Sequence, residues 1–171
     1  DKKPDGSSPS AEELKGGLFY GRNYINNGNG ANDPMDDQGH GSHVSGTIAG
    51  QGLNGGGKST LGIAPDVKLA MYKVINSQNS CQTADVVKGM EDAVNDGCEI
   101  LSMSLGWSSA TGADHATNLA LNSLALQNED VLFVLCAGNN GSASYTLWAP
   151  STSPLALSVA NAIIPSENRL L

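Results

Sequence analysis

The sequence predicts an α/β fold with a three-layer αβα arrangement, in which helices lie on both sides of a mainly parallel sheet. Strand-like and helix-like segments alternate between residues 67 and 137, which is typical of crossover connections between parallel strands. The segment 131–137 is apolar at every position, as expected for a strand that helices cover on both faces. With 171 residues, 39% of them hydrophobic, the chain can bury the core of one domain.

The first part of the chain contains few regular elements. Residues 1–17 begin with a polar stretch rich in Pro, Gly and Ser, which predicts an exposed linker. Residues 18–20 predict a short edge strand. The small and β-branched residues 43–49 predict a buried helix that begins near His40, and a glycine-rich loop follows at 51–61.

Hydrophobic periodicity predicts the later elements. A helix is expected over 83–96, with Thr83 as its N-cap and Gly97 as its stop. Its apolar face consists of Val86, Val87, Met90, Ala93 and Val94. The remaining elements are strands at 67–74, 100–104, 131–137 and 155–160, and a second helix at 116–127.

Charge and hydropathy exclude two classes of partner. The net charge is −8, and the nine Lys and Arg residues are scattered along the chain, whereas a nucleic-acid surface needs clustered cations. The longest apolar run, 131–137, is far too short to span a bilayer. We therefore expect neither a nucleic acid nor a membrane as a partner.

Two positions carry side chains that suit proton transfer and hydrogen bonding. His40 lies between Gly39 and Gly41, where another backbone can come close to an imidazole that titrates near neutral pH. A structural histidine in a glycine-rich turn is an equally good interpretation of His40 taken alone. Asn139 follows a predicted strand, at the edge of the sheet where α/β proteins collect their chemistry, and taken alone it is also a good turn residue.

Four segments, in order, resemble motifs of the subtilisin-like serine proteases, or subtilases. Residues 39–49 (GHGSHVSGTIA) resemble the histidine motif of that family, and residues 137–141 (AGNNG) resemble its oxyanion-asparagine motif. Residues 62–65 (GIAP) and 102–106 (SMSLG) also match. The resemblance runs from about Gly21 to about Ala162, and it implies that residues 1–171 form part of a subtilisin-like peptidase domain.

The resemblance implies a role for each motif in acyl transfer. His40 corresponds to the general base, and Asn139 corresponds to the side-chain donor for the oxyanion. The segment of Ser104, Leu105 and Gly106 corresponds to the part that pairs with the substrate backbone as an added strand. One wall of the pocket for the residue before the scissile bond corresponds to Cys136, Ala137 and Gly138, whose small size is expected to leave the pocket open to large side chains. Tightly packed strand ends are the alternative for each of these six residues.

Two catalytic groups of the family have no match in the chain. The family orders its triad as Asp, His and Ser. No apolar strand ending in Asp-Ser/Thr-Gly precedes His40, and Asp5 with Gly6 is the nearest imitation. Nothing after Asn139 resembles the Gly-Thr-Ser-Met-Ala segment of the nucleophile. We therefore expect both segments to lie outside these residues, and the chain alone to be inactive without the rest of its catalytic domain.

Other classes of function remain open at this point. A non-catalytic peptide-binding protein could keep the cleft without the nucleophile. Residues 52–59 (GLNGGGKS) satisfy the P-loop pattern of nucleotide-binding proteins, but a P-loop follows a strand, and here the preceding segment is predicted to be helical. His43 is interpreted as structural, because two histidines at i and i+3 are a weak zinc signal.

The resemblance also implies an environment and a set of ligands. It implies a secreted, extracellular enzyme that acts on peptides or proteins and requires no cofactor. Calcium is common in the family, but the loop 53–61 offers Asn54 and backbone oxygens without an acidic ligand, so no calcium site is assigned.

Overall fold

The computed structural model describes residues 18–25, 28, 30–52, 61–108 and 112–162. The expected linker at 1–17 and most of the P-loop-like segment lie outside these ranges. The chain divides into two units, one that ends at Asp96 and one that begins at Gly97, and each has its own parallel sheet.

The first unit contains two strands and two helices. In chain order they are β1 (Leu18–Asn23), α1 (His40–Ala49), β2 (Leu69–Lys73) and α2 (Thr83–Asn95). β1 pairs with β2 in parallel, with Leu18 opposite Leu69 and Asn23 opposite Lys73. α1 begins at His40 as expected, but Ala49 is its one buried residue, so the predicted burial of this helix is wrong.

The amphipathic pattern of α2 is confirmed. Val86, Met90 and Ala93 are buried, and the helix contacts β2. A Cβ atom placed on Gly89 would lie 3.0 Å from a methyl carbon of Val74, the residue after β2, so the small glycine permits the close approach. Thr83 is the first helical residue rather than the N-cap, because the extended residue before the helix is Gln82.

The second unit contains a three-stranded parallel sheet and one helix. Its elements are β3 (Ile100–Met103), α3 (Ala116–Gln127), β4 (Leu132–Cys136) and β5 (Leu157–Val159), and the sheet order is β3-β4-β5. α3 has the predicted bounds, while the strands are shorter than predicted. The buried core of this unit includes Leu101, Leu121, Phe133 and Leu135.

One face of the sheet in the second unit carries exposed hydrophobic residues. Successive residues of a strand point to opposite faces, and Ile100 pairs with Leu132 in register. Their exposed fractions are 62% and 46%, whereas Phe133 on the other face is 1% exposed. Among the described residues this sheet is therefore covered on one face, which differs from the coverage on both faces that the sequence predicts.

The helices in the described part of the chain are too short, or too polar, to cross a bilayer.

Candidate active site

His40 is the first residue of α1 and is exposed to solvent. Gly39 before it has φ of 97°, in the left-handed region that glycine adopts without strain. The backbone N–H of His40 donates to the side-chain oxygen of Gln38 at 2.9 Å. Helix starts leave several N–H groups without intrahelical partners, and this bond satisfies one of them.

Asp36 accepts three more hydrogen bonds at the same helix start. Its Oδ1 atom accepts the backbone N–H groups of Gln38 at 2.9 Å and Gly39 at 2.8 Å, and its Oδ2 atom accepts that of Ser42 at 2.7 Å. Burial by itself raises the pKa of Asp36, but these bonds and one from the Ser42 hydroxyl outweigh burial and hold the pKa far below its usual range. Sequence reasoning missed this role, although an Asp side chain commonly accepts the backbone N–H two residues further on in a turn, as Asp36 does from Gln38.

The turn before His40 is also tied to the end of β2. Lys73, the last residue of β2, donates from Nζ to the carbonyl oxygen of Met35 at 2.7 Å and forms an ion pair with Asp37 at 2.7 Å. The side chain of Lys73 is only 8% exposed. The turn that carries His40 is therefore held at the carboxyl end of the sheet of the first unit, which is where α/β proteins place their sites.

His43 lies one turn further along α1 and is exposed. Its backbone N–H donates to the carbonyl oxygen of Gly39 at 3.0 Å. No group of three or more His, Cys, Asp or Glu side chains is placed to hold a metal ion within the described ranges. A zinc site built on His40 and His43 thus finds no third ligand of these types there.

The predicted substrate-binding residues follow two adjacent strands of the second unit. Ser104, Leu105 and Gly106 come directly after β3, while Ala137, Gly138 and Asn139 come directly after Cys136, the last residue of β4. The Cys136 thiol donates to the carbonyl oxygen of Leu105 at 3.5 Å, and burial raises the pKa of this thiol. Six of the predicted residues therefore share one edge of the sheet, and Asn139 lies exposed on a bend beside them.

Trp148, which sequence reasoning did not single out, lies against both of these segments. Its backbone N–H donates to the carbonyl oxygen of Ala137 at 3.1 Å. A Cβ atom placed on Gly138 would lie 2.5 Å from the Trp148 ring, and one placed on Gly106 would lie 3.2 Å from the Trp148 Cβ. Gly138 has φ of 102° as well, so both space and backbone demand glycine there. No local sequence pattern indicates these contacts, because Trp148 is ten residues away from Gly138.

This position of Trp148 differs from the expected open pocket. Small residues at 136–138 were expected to leave room for a large substrate side chain. In the structure, the Trp148 ring occupies the space beside Gly138, and the carbonyl oxygen of Ala149 together with the Trp148 side chain fills the space beside Gly106. The small size of these residues accommodates an indole of the same chain.

His40 belongs to the first unit and Asn139 to the second. Their convergence on one peptide bond therefore stays a prediction.

The P-loop-like segment follows a helix in the described part of the chain. α1 ends at Ala49, three residues before Gly52, and Gln51 forms an antiparallel bridge with Leu61. The N–H of Ile63 then donates to the carbonyl oxygen of Thr47 at 3.0 Å. A phosphate-binding P-loop follows a strand and opens a helix, so the element before this segment does not fit that function.

Comparisons with known proteins identify a family and a fold. The sequence model of the subtilase family matches residues 5–170. The minor extracellular protease Vpr of Bacillus subtilis (strain 168) is 34% identical over 154 residues, which is 90% of this chain and 18% of Vpr. The major intracellular serine protease of the same strain is 35% identical over 80% of this chain and 41% of its own length.

Solved structures agree with the sequence comparisons. Sphericase superimposes with a TM-score of 0.60 at 32% identity, over 72% of this chain and 40% of Sphericase. The S218A mutant of the protease domain of PatA superimposes with a TM-score of 0.59 at 33% identity, over 70% of this chain and 41% of that domain. The three-layer α/β fold is confirmed for part of a domain, since the chain spans less than half the length of these relatives.

Proposed function

Because the chain belongs to the subtilase family, we propose that it forms part of a serine endopeptidase that cleaves peptide bonds through an acyl-enzyme. The curated relatives described above are named as proteases, one extracellular and one intracellular. The nucleophilic serine and the aspartate of the triad would come from parts of the protein outside these 171 residues. The observation that carries the proposal is the family match over 5–170 together with the capped helix start at His40.

His40 is the general base in this proposal. It takes the proton of the serine hydroxyl during attack on the carbonyl and returns it to the leaving amine. Such a base needs a fixed position, and the bonds from the His40 and Ser42 N–H groups to Gln38 and Asp36 hold its turn in place. The exposure of His40 leaves its ring accessible to the other groups of the site.

Asn139 supplies a hydrogen bond to the oxyanion. A carboxamide is neutral, so it donates an N–H without competing for the proton that His40 carries. Asn139 is exposed on the bend after β4, and Gly138 gives that bend its left-handed backbone.

The segment of Ser104, Leu105 and Gly106 receives the backbone of the substrate. It continues β3 beyond the last ladder residue, Met103. An extended peptide can pair with such a segment as an added strand, so that main-chain bonds provide affinity for any sequence.

The proposal is tested by covalent labelling of the full-length protein with a fluorophosphonate probe, which reacts with an activated serine. We expect labelling of the wild-type protein. His40→Ala should lower the labelling rate by about 10³-fold or more, because the serine loses its base.

His43→Ala is the matched control for this experiment, since it removes an exposed histidine from the same helix. It should label at the wild-type rate. Normal labelling of a folded His40→Ala protein would refute the assignment of the base. A wild-type protein that binds peptides but never labels would instead be a non-catalytic peptide-binding protein.

We propose an extracellular location from the family resemblance and from Vpr, which is named as extracellular. The intracellular relative shows that the family match does not decide this point. Immunodetection of the protein in cell-free medium and in cell lysate decides between the two locations. The proposal requires no cofactor and assigns no calcium site.

A further inference from the structure

We propose that Trp148 closes the pocket for the side chain on the amino side of the scissile bond, so that the enzyme cleaves after glycine, alanine and serine. This inference rests on the proposed function and names the substrate class of the same site. It concerns residues of the second unit only.

Backbone hydrogen bonds tie the chain at Trp148 and Ala149 to the segments that follow β4 and β3. The Trp148 N–H bonds to the carbonyl oxygen of Ala137, after β4. The next residue, Ala149, is buried, and its carbonyl oxygen accepts the N–H of Trp107, after β3, at 2.9 Å. The chain therefore crosses the carboxyl ends of both strands, and the Trp148 side chain starts from a held position.

The side chain of Trp148 reaches both the pocket wall at Gly138 and the substrate-backbone segment at Gly106. Ring atoms Cγ and Cδ1 lie 2.5 Å from the point where a Cβ of Gly138 would stand, and Cε3 lies 3.5 Å from the corresponding point on Gly106. A rigid indole that touches both glycines takes the volume that a large substrate side chain would need. Gly138 has φ of 102°, a backbone conformation in which a larger residue would be strained. Glycine at this position therefore keeps the space that the indole occupies.

The polar edge of the indole is buried. Trp148 Nε1 is buried and has no hydrogen-bond acceptor among the described residues. Because this nitrogen is shielded, it offers no hydrogen bond to a substrate side chain, so serine is accepted for its small size. Glycine and alanine fit beside the ring through size alone. Phenylalanine and leucine would need the space that Trp148 occupies.

The test is a set of internally quenched peptides that differ only in the residue before the cleaved bond, assayed with the full-length protein. We expect kcat/KM for Ala or Ser to exceed that for Phe or Leu on the order of 10- to 100-fold. Trp148→Gly should raise kcat/KM for Phe by a similar factor, so that the preference for Ala over Phe is lost.

Tyr145→Gly is the matched control, because it removes an aromatic ring that is 94% exposed in the same loop. It should keep the wild-type order of substrates. The fluorophosphonate probe carries no peptide side chain, so its labelling rate reports the reacting groups separately from the pocket.

Each outcome decides a different point. A labelled wild-type protein that prefers Phe overturns the inference, even if the Trp148 variants fail to fold. A labelled Trp148→Gly protein with unchanged selectivity also overturns it, and Trp148→Ala provides a second variant for that comparison. A wild-type protein that does not label overturns the proposed function, and this inference falls with it.

Discussion

At the scale of single residues, Asp36 shows how one carboxylate positions another side chain without touching it. Its two oxygens accept three backbone N–H groups at the start of α1, including that of Ser42, two residues after His40. Bonds to a charged acceptor are stronger than those between neutral groups. We therefore treat Asp36 as a positioning residue for His40.

The low pKa of Asp36 predicts an acid-dependent loss of stability. A carboxyl group whose pKa is depressed in the folded state contributes stability above its unfolded pKa, about 4, and loses it as pH falls toward the folded pKa. Asp36→Ala should lower the free energy of unfolding by about 1–2 kcal/mol at pH 7. Urea denaturation at pH 7 and pH 3 should show the difference between wild type and variant shrinking at the lower pH. A difference that grows on acidification would contradict this role.

At the scale of elements, a charged cluster joins β1 and α2. Asp92 of α2 is 8% exposed and accepts hydrogen bonds from the hydroxyl of Tyr24 at 2.8 Å and from Lys88 at 2.6 Å. Arg22 of β1 donates to Asp96, just after α2, at 2.8 Å. Burial and the hydrogen bond to Asp92 raise the pKa of Tyr24. These bonds hold α2 near the strand in a way that the apolar pattern does not specify.

Removal of Asp92 should destabilise the protein. Asp92→Ala leaves the Tyr24 hydroxyl without its acceptor, and we expect a loss of about 1–3 kcal/mol in the free energy of unfolding. Glu91→Ala changes the exposed neighbour and should stay within about 0.5 kcal/mol of wild type. Chemical denaturation measures the free energy of unfolding of both variants. An equal decrease for Asp92→Ala and Glu91→Ala would show that the bonds of Asp92 do not stabilise the protein.

At the scale of the whole chain, the exposed sheet face of the second unit departs from a fully covered core. Ile100, Leu132, Leu157 and Val159 lie on that face with exposed fractions of 46–62%. Contiguous exposed apolar surface of this kind is unusual for a monomeric soluble protein. We expect the 171-residue chain, expressed alone, to associate with apolar probes through this face.

A dye-binding experiment tests the exposed face. The double variant Leu132→Thr and Leu157→Thr should lower the fluorescence of an added hydrophobic dye by about half, because it removes two of the exposed apolar side chains. Tyr145→Gly, which removes a single exposed ring outside the sheet, should change the signal little. Unchanged fluorescence of the folded double variant would place the dye elsewhere.

Sequence patterns determine the elements and their order because those patterns are local. The periodicity of α3 predicts its bounds at 116–127, and three of the five predicted apolar residues of α2 are buried, namely Val86, Met90 and Ala93. The start of α1 at His40 follows from the glycines around it. The short motifs likewise indicate the subtilase family before any contact is known.

The tertiary structure alone decided three points, because each depends on residues that the sequence keeps apart. The indole of Trp148 lies against Gly106 from 42 residues away and against Gly138 from 10 residues away, and no local pattern indicates these contacts. Both Leu132 and Phe133 of β4 are apolar, and only the packing shows that Phe133 is covered by other residues while Leu132 is exposed. The role of Asp36 depends on where its carboxylate meets the N–H groups of α1. Periodicity specifies which face of an element is apolar, whereas packing specifies what lies against that face.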